Sequence, residues 1–101
     1  MKRRFVIGAD SLDAEREGKL RDYLQKKGDW WHWIGDMWLL TTNDQEITVA
    51  DINNHIVNLK PDIRTVVFEF PEDITWATSG VRNKEGSRIS DWLEGPWAKE
   101  K

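Results

Sequence analysis

Cysteine is absent from this 101-residue chain, which excludes disulfides, thiolate metal sites and cysteine nucleophiles. It also fits a reducing compartment, with the cytoplasm as the expected location. Histidine is nearly absent: His32 and His55 are too few for a multi-histidine metal site within one chain, and they leave general acid-base chemistry little material. Glycine never gathers into a phosphate-cradling loop. Gly8 stands alone and Ser79-Gly80 lacks the rest of the pattern, so hydrolysis of nucleotides on a P-loop is excluded. No apolar run is long enough to span a membrane, and the run from Phe5 to Ala9 that follows Met1-Lys2-Arg3-Arg4 is too short for a signal peptide. An excess of positive charge is missing too. Lys and Arg number 15 against 18 Asp and Glu, a net charge of −3, so any attraction for nucleic acid must be local.

What the chain does have is tryptophan, seven in all, with Trp30, Trp31, Trp33 and Trp38 crowded into one segment. Gly35-Asp36 reads as a two-residue hairpin turn, which pairs Ile34 with Met37, Trp33 with Trp38, His32 with Leu39 and Trp31 with Leu40. That register places Trp31, Trp33, Trp38 and Leu40 on one face and Trp30, His32, Ile34, Met37 and Leu39 on the other. Helices of a domain this small cover one face of its sheet, so the other set is expected to meet a partner: a second copy, another protein or a base-bearing ligand.

The near-continuous apolar run Phe5 to Ala9 reads as a central strand. Asp10 or Ser11 is expected to cap the helix that follows, in which Leu20, Tyr23 and Leu24 form a stripe and Gly28 marks the stop. After the hairpin, Thr48 and Asp51 have the spacing of a capping box, and Val49, Ile52, Ile56 and Leu59 recur at helical intervals until Pro61. Thr65 to Phe70 alternates as a last strand before Pro71. The order β-α-β-β-α-β over residues 1–71 predicts an α+β, ferredoxin-like sandwich, an antiparallel sheet in the order 4-1-3-2 with two helices on one face. Residues 72–101 read as a C-terminal loop and a short helix opening at Ser90-Asp91, packed on the core or on a dimer mate, with Trp92 and Trp97 as docking anchors.

Several of these residues form a familiar pattern: Phe5-Val6-Ile7 followed by Asp10, Trp30-Trp31-His32-Trp33 closing on Trp38-Leu39-Leu40, a later Trp76-Ala77, and Asp91-Trp92-Leu93. The chain resembles the SinR-like small proteins, relatives of the CRISPR-associated Cas-two proteins. That resemblance implies a ferredoxin-like protomer that dimerises through its sheet, in microbial or phage defence or in toxin-antitoxin pairs. Members of the wider group are described as metal-dependent nucleases using an aspartate after the first strand, and others as non-catalytic scaffolds. Asp10 occupies that place here, although Gly8-Ala9 precede it where the wider family carries a strand tyrosine.

Asp10 is therefore the catalytic and metal candidate, since a magnesium ion takes one or two carboxylates and a symmetric dimer brings two copies together. Its plainer role is the helix N-cap. Asp36 and Asp62 are expected at the same end of the sheet, in turn-forming roles. Trp31, Trp33, Trp38 and Trp76 with Arg82, Lys84 and Arg88 make up the binding candidates, rings to stack on bases and cations to meet phosphate. The plainer reading of these is a packed core and a solvated loop. The expected partners are thus a homodimer mate and a nucleic acid, nucleotide or protein. A phage-type inhibitor or nucleotide-sequestering module is the competing reading.

Overall fold

Strand β1 (Arg3–Ala9) runs through the middle of a four-stranded sheet, and the computed structural model describes residues 1–71, 74–78 and 89–98 around it. The other elements are α1 (Ala14–Lys27), β2 (Asp29–Ile34), β3 (Met37–Thr42), α2 (Val49–Leu59), β4 (Thr65–Phe70) and α3 (Ile89–Glu94). The strand order is β2-β3-β1-β4, which read from the β4 edge is 4-1-3-2, and every neighbouring pair is antiparallel. Strands β2 and β4 are the two edges.

Helix α1 starts two to three residues later than the sequence suggests. Asp13 is its N-cap, accepting a hydrogen bond from the Arg16 amide at 2.8 Å, so neither Asp10 nor Ser11 holds that role. Glu15 and Glu17 in the first turn and Lys26 and Lys27 in the last complement the helix dipole. Helix α2 opens on the full capping box, with the Thr48 side chain accepting from the Asp51 amide and the Asp51 carboxylate accepting from the Thr48 amide. Leu20 and Leu24 of α1 and Ile52 and Ile56 of α2 are buried against Phe5, Ile7, Trp38 and Leu40 of the sheet. Both helices therefore lie on one face.

The hairpin register differs from the sequence expectation. Ile34 does pair with Met37, but Trp31 pairs with Leu39 and Trp30 with Leu40, because a bulge between Trp31 and Ile34 places one extra residue in β2. One residue of slip exchanges the faces. Trp30 and His32 join Trp38 and Leu40 beneath the helices, and Trp31 joins Leu39 on the opposite side.

That opposite side is not bare beside the hairpin. Leu93 and Trp97 bury Trp31 and Leu39, with Val6, Met37, Phe70, Ile74 and Trp92 packed around them. The segment is fastened by polar contacts: Arg4 donates from Nε to the Trp97 carbonyl at 2.6 Å and from Nη2 to that of Ala98 at 2.8 Å, and Lys2 donates to the Pro96 carbonyl at 2.6 Å. The expectation that an aromatic hairpin face must await a partner is thereby corrected, since the chain's own C-terminal segment covers it. Among the described residues, large apolar side chains stay uncovered along β4, where Val66 is 48% and Phe68 50% exposed, at the hairpin tip in Ile34 and in Trp76.

Candidate functional site

Asp10 stands at the end of β1, where the sheet edge places Arg64 opposite it. The Asp10 amide donates to the Arg64 carbonyl at 3.0 Å, and the Arg64 guanidinium returns two bonds to Oδ2, from Nε at 2.9 Å and Nη2 at 2.6 Å. The other oxygen, Oδ1, accepts from the Ser11 hydroxyl at 2.8 Å. The Ser11 hydrogen bond and then the guanidinium hold this carboxyl below its ordinary range. Lys60 donates to the Ser11 carbonyl at 2.8 Å, placing a second cation at the same corner.

A magnesium ion at Asp10 would have to displace the guanidinium from Oδ2, with Lys60 as a second cation at the same corner. Asp36 does reach this end of the sheet: its carbonyl accepts from the Ala9 amide at 2.9 Å and its Oδ1 from the Ser11 amide at 3.2 Å. It is thus bonded in sequence to the turn beside Asp10 rather than turned toward a shared ion. No group of three or more carboxylates or histidines that could hold a metal occurs among the described residues. Within one protomer the Asp10 carboxylate is thus already engaged by Arg64 on Oδ2 and by Ser11 on Oδ1.

Both histidines stack on aromatic rings. His32 lies flat on Trp38, ring centroids 3.6 Å apart and 5° from parallel, with Nδ1 against the Met37 carbonyl at 2.9 Å and Nε2 3.3 Å from Glu17. His55 stacks on Tyr23 at 3.9 Å between α1 and α2. Its buried Nε2 has no hydrogen-bond partner among the described residues, and burial pushes its pKa below the ordinary value.

Of the tryptophans proposed for stacking on bases, Trp31 and Trp38 are each 2% exposed and serve the two cores instead. Trp76 is different. Its side chain, 42% exposed, lines an apolar recess of about 200 Å³ between the sheet and the C-terminal segment, together with Val6, Met37, Phe70, Leu93 and Trp97. Arg82, Lys84 and Arg88 lie outside the described residues, as does the side chain of Trp33. The combination of Trp76 with a basic loop is therefore represented by Trp76 alone.

Two structural features escaped the sequence reading. Arg64 belongs to no motif of the sequence, and only the antiparallel pairing of β1 with β4 brings it to Asp10. Val66 and Phe68 were legible as one face of a strand, but their exposure depends on β4 being an edge that the C-terminal cover does not reach. No protein-family model, no curated protein and no solved structure matches this chain.

Proposed function

We propose that this chain is a homodimeric, ferredoxin-like protein of the SinR-like and Cas-two-like kind, a non-catalytic binding component of microbial or phage defence or of a toxin-antitoxin pair. The observation that carries the reading is the exposed apolar strip of Val66 and Phe68 on an edge strand, in a domain whose Trp31, Trp38 and Trp97 are buried in two internal cores. The four-stranded antiparallel sheet with α1 and α2 on one face supports the ferredoxin-like assignment. The ion pair between Arg64 and Asp10 supports a role without catalysis, because it occupies the one carboxylate that the nuclease reading requires. Light scattering at high micromolar concentration, together with cleavage assays on RNA and DNA with magnesium or manganese, tests the reading. A dimer without cleavage is expected, and a monomer would overturn it, as would metal-dependent cleavage abolished by Asp10→Asn.

The recess under Trp76 favours a second reading, a module that sequesters a small base-bearing ligand, since a half-exposed indole over an apolar floor suits stacking. Mass spectrometry of small molecules extracted from protein purified from its host checks it, and an empty extract would count against it.

A further inference from the structure

We infer that β4 pairs edge to edge with β4 of a second copy, antiparallel and centred on Val67. This inference rests on the homodimer reading and specifies its interface. The direction of the free backbone groups follows from the pairing with β1. The Asp10 amide bonds the Arg64 carbonyl at 3.0 Å, and the register continues as Gly8 with Val66, Val6 with Phe68 and Arg4 with Phe70. Bonded pairs alternate along an antiparallel ladder, so these β4 residues turn their amides and carbonyls toward β1. Thr65, Val67 and Glu69 turn theirs away, toward the open edge.

The described residues of that edge lack several of the devices that blunt exposed strands. It has no lysine, no internal proline and an unbroken register with β1. Its single charge, Glu69, is held by Arg3 through bonds of 2.8 and 2.9 Å. A second copy therefore meets a neutral edge despite the net charge of −3, whereas a charged peptide finds no free counter-charge there.

The row is also complementary to itself. In a two-fold register about Val67, Val67 meets Val67 of the second copy and Thr65 meets its Glu69, so every outward-facing residue of the strand exchanges both backbone bonds. Phe68 then lies opposite Val66 of the other copy, large against small on both sides of the axis, and the half-exposed surface of each is covered. Sliding the register by two residues one way sets Thr65 against Pro71, which has no amide to give; sliding it the other way sets Glu69 against Ile63, outside the strand. One strand with two apolar side chains falls short of the roughly 800 Å² per partner of a standard interface, so the dimer dissociates on dilution.

Because the chain has no cysteine, a single introduced thiol reports one contact. Hydrogen-bonded antiparallel pairs place Cα atoms about 5.5 Å apart, within disulfide range. Val67→Cys, oxidised with copper phenanthroline at high micromolar concentration, is expected to run as a covalent dimer, and Ile34→Cys, exposed at the tip of the β2-β3 hairpin, as a monomer. Val67→Pro removes an outward amide without touching the ladder to β1 and is expected to convert dimer to monomer with its far-ultraviolet circular dichroism retained. A wild type that scatters as a dimer while Val67→Cys stays uncrosslinked would overturn this register and leave the homodimer reading intact. A wild-type monomer would overturn both.

Discussion

Arg4 and Trp97 are joined across 93 residues of sequence: the Arg4 Nε donates to the Trp97 carbonyl at 2.6 Å, and Arg4 as a residue is 1% exposed. Its Nη2 bonds the next carbonyl, that of Ala98. A buried cation is tolerated only when its donors are matched, and here the fork of the guanidinium meets consecutive main-chain oxygens. Arg4→Ala is expected to lower stability by about 3 kcal/mol in urea denaturation, the scale of losing charge-assisted bonds in a buried place. Arg4→Lys should recover only part of this, since an ammonium group cannot present the same fork. Full recovery by lysine would show that charge alone holds the segment.

Gly28 follows α1, and its role is steric. Its φ of 168° is extended backbone open to any residue, but a Cβ there would stand 1.9 Å from the Thr41 carbonyl oxygen and 3.0 Å from its carbon. Main chain cannot yield as a flexible side chain does. Gly28→Ala is therefore expected to push β3 away from the helix end and to destabilise by roughly 3 kcal/mol or prevent folding, at the upper end of overpacking costs. Gly18→Ala in the middle of α1, whose Cβ would meet only the Arg21 guanidinium at 3.5 Å, should instead be tolerated or stabilising by about 1 kcal/mol. Thermal melts of the two variants side by side separate the steric account from a general preference for glycine.

His55 makes stability depend on pH in the weakly acid range. Burial lowers its folded pKa below the ordinary 6.5, so on acidification the unfolded chain takes up the proton first. The contribution is fully present above that value and is lost as pH falls through the lower, folded pKa. The lowered carboxyls of Asp10, Asp13, Asp44 and Glu69 act in the same direction at more acid pH. The urea midpoint is expected to fall between pH 7 and pH 5, and to fall less in His55→Phe, which keeps a ring against Tyr23 and removes the titration. Equal slopes for the two proteins would assign the effect elsewhere.

Arg64→Ala frees the Asp10 carboxylate from its cation while altering a side chain that is 88% exposed. The urea midpoint is expected to stay close to that of the wild type, as for most exposed ion pairs. Magnesium should leave the melting temperature of the wild type unchanged, because the guanidinium already holds Oδ2. A magnesium-dependent rise in the wild type would restore Asp10 as a metal ligand. A rise confined to Arg64→Ala would identify the guanidinium as what excludes the ion.

The elements of the fold were legible because local chemistry spelled them out: the Thr48 and Asp51 box, the apolar run of Phe5 to Ala9, and the turn at Gly35-Asp36. The hairpin faces were not. A bulge among Trp31, His32, Trp33 and Ile34 carries no glycine to announce it, and one extra residue is enough to reverse which indoles face the helices. Trp97 could be read as an anchor, yet nothing local identifies its receptor, because the pocket is assembled from Trp31 and Leu39 of the hairpin and fastened by Arg4 of another strand. At the candidate site, Asp10 was found by its position after the first strand. Its partner Arg64 is 54 residues away and becomes its neighbour only through the sheet.

The sheet separates two dry layers, with Trp38 in one and Trp31 in the other. Detaching the α3 segment would break the contacts of Leu93, Trp97 and Arg4 but none between α1 and α2, so a partial opening there is expected to cost less than global unfolding. In hydrogen-deuterium exchange the amides of α3 should accordingly trade protons earlier than those of β1. During that opening Trp31 meets water while Trp38 stays dark to quenchers, giving each layer its own optical signal.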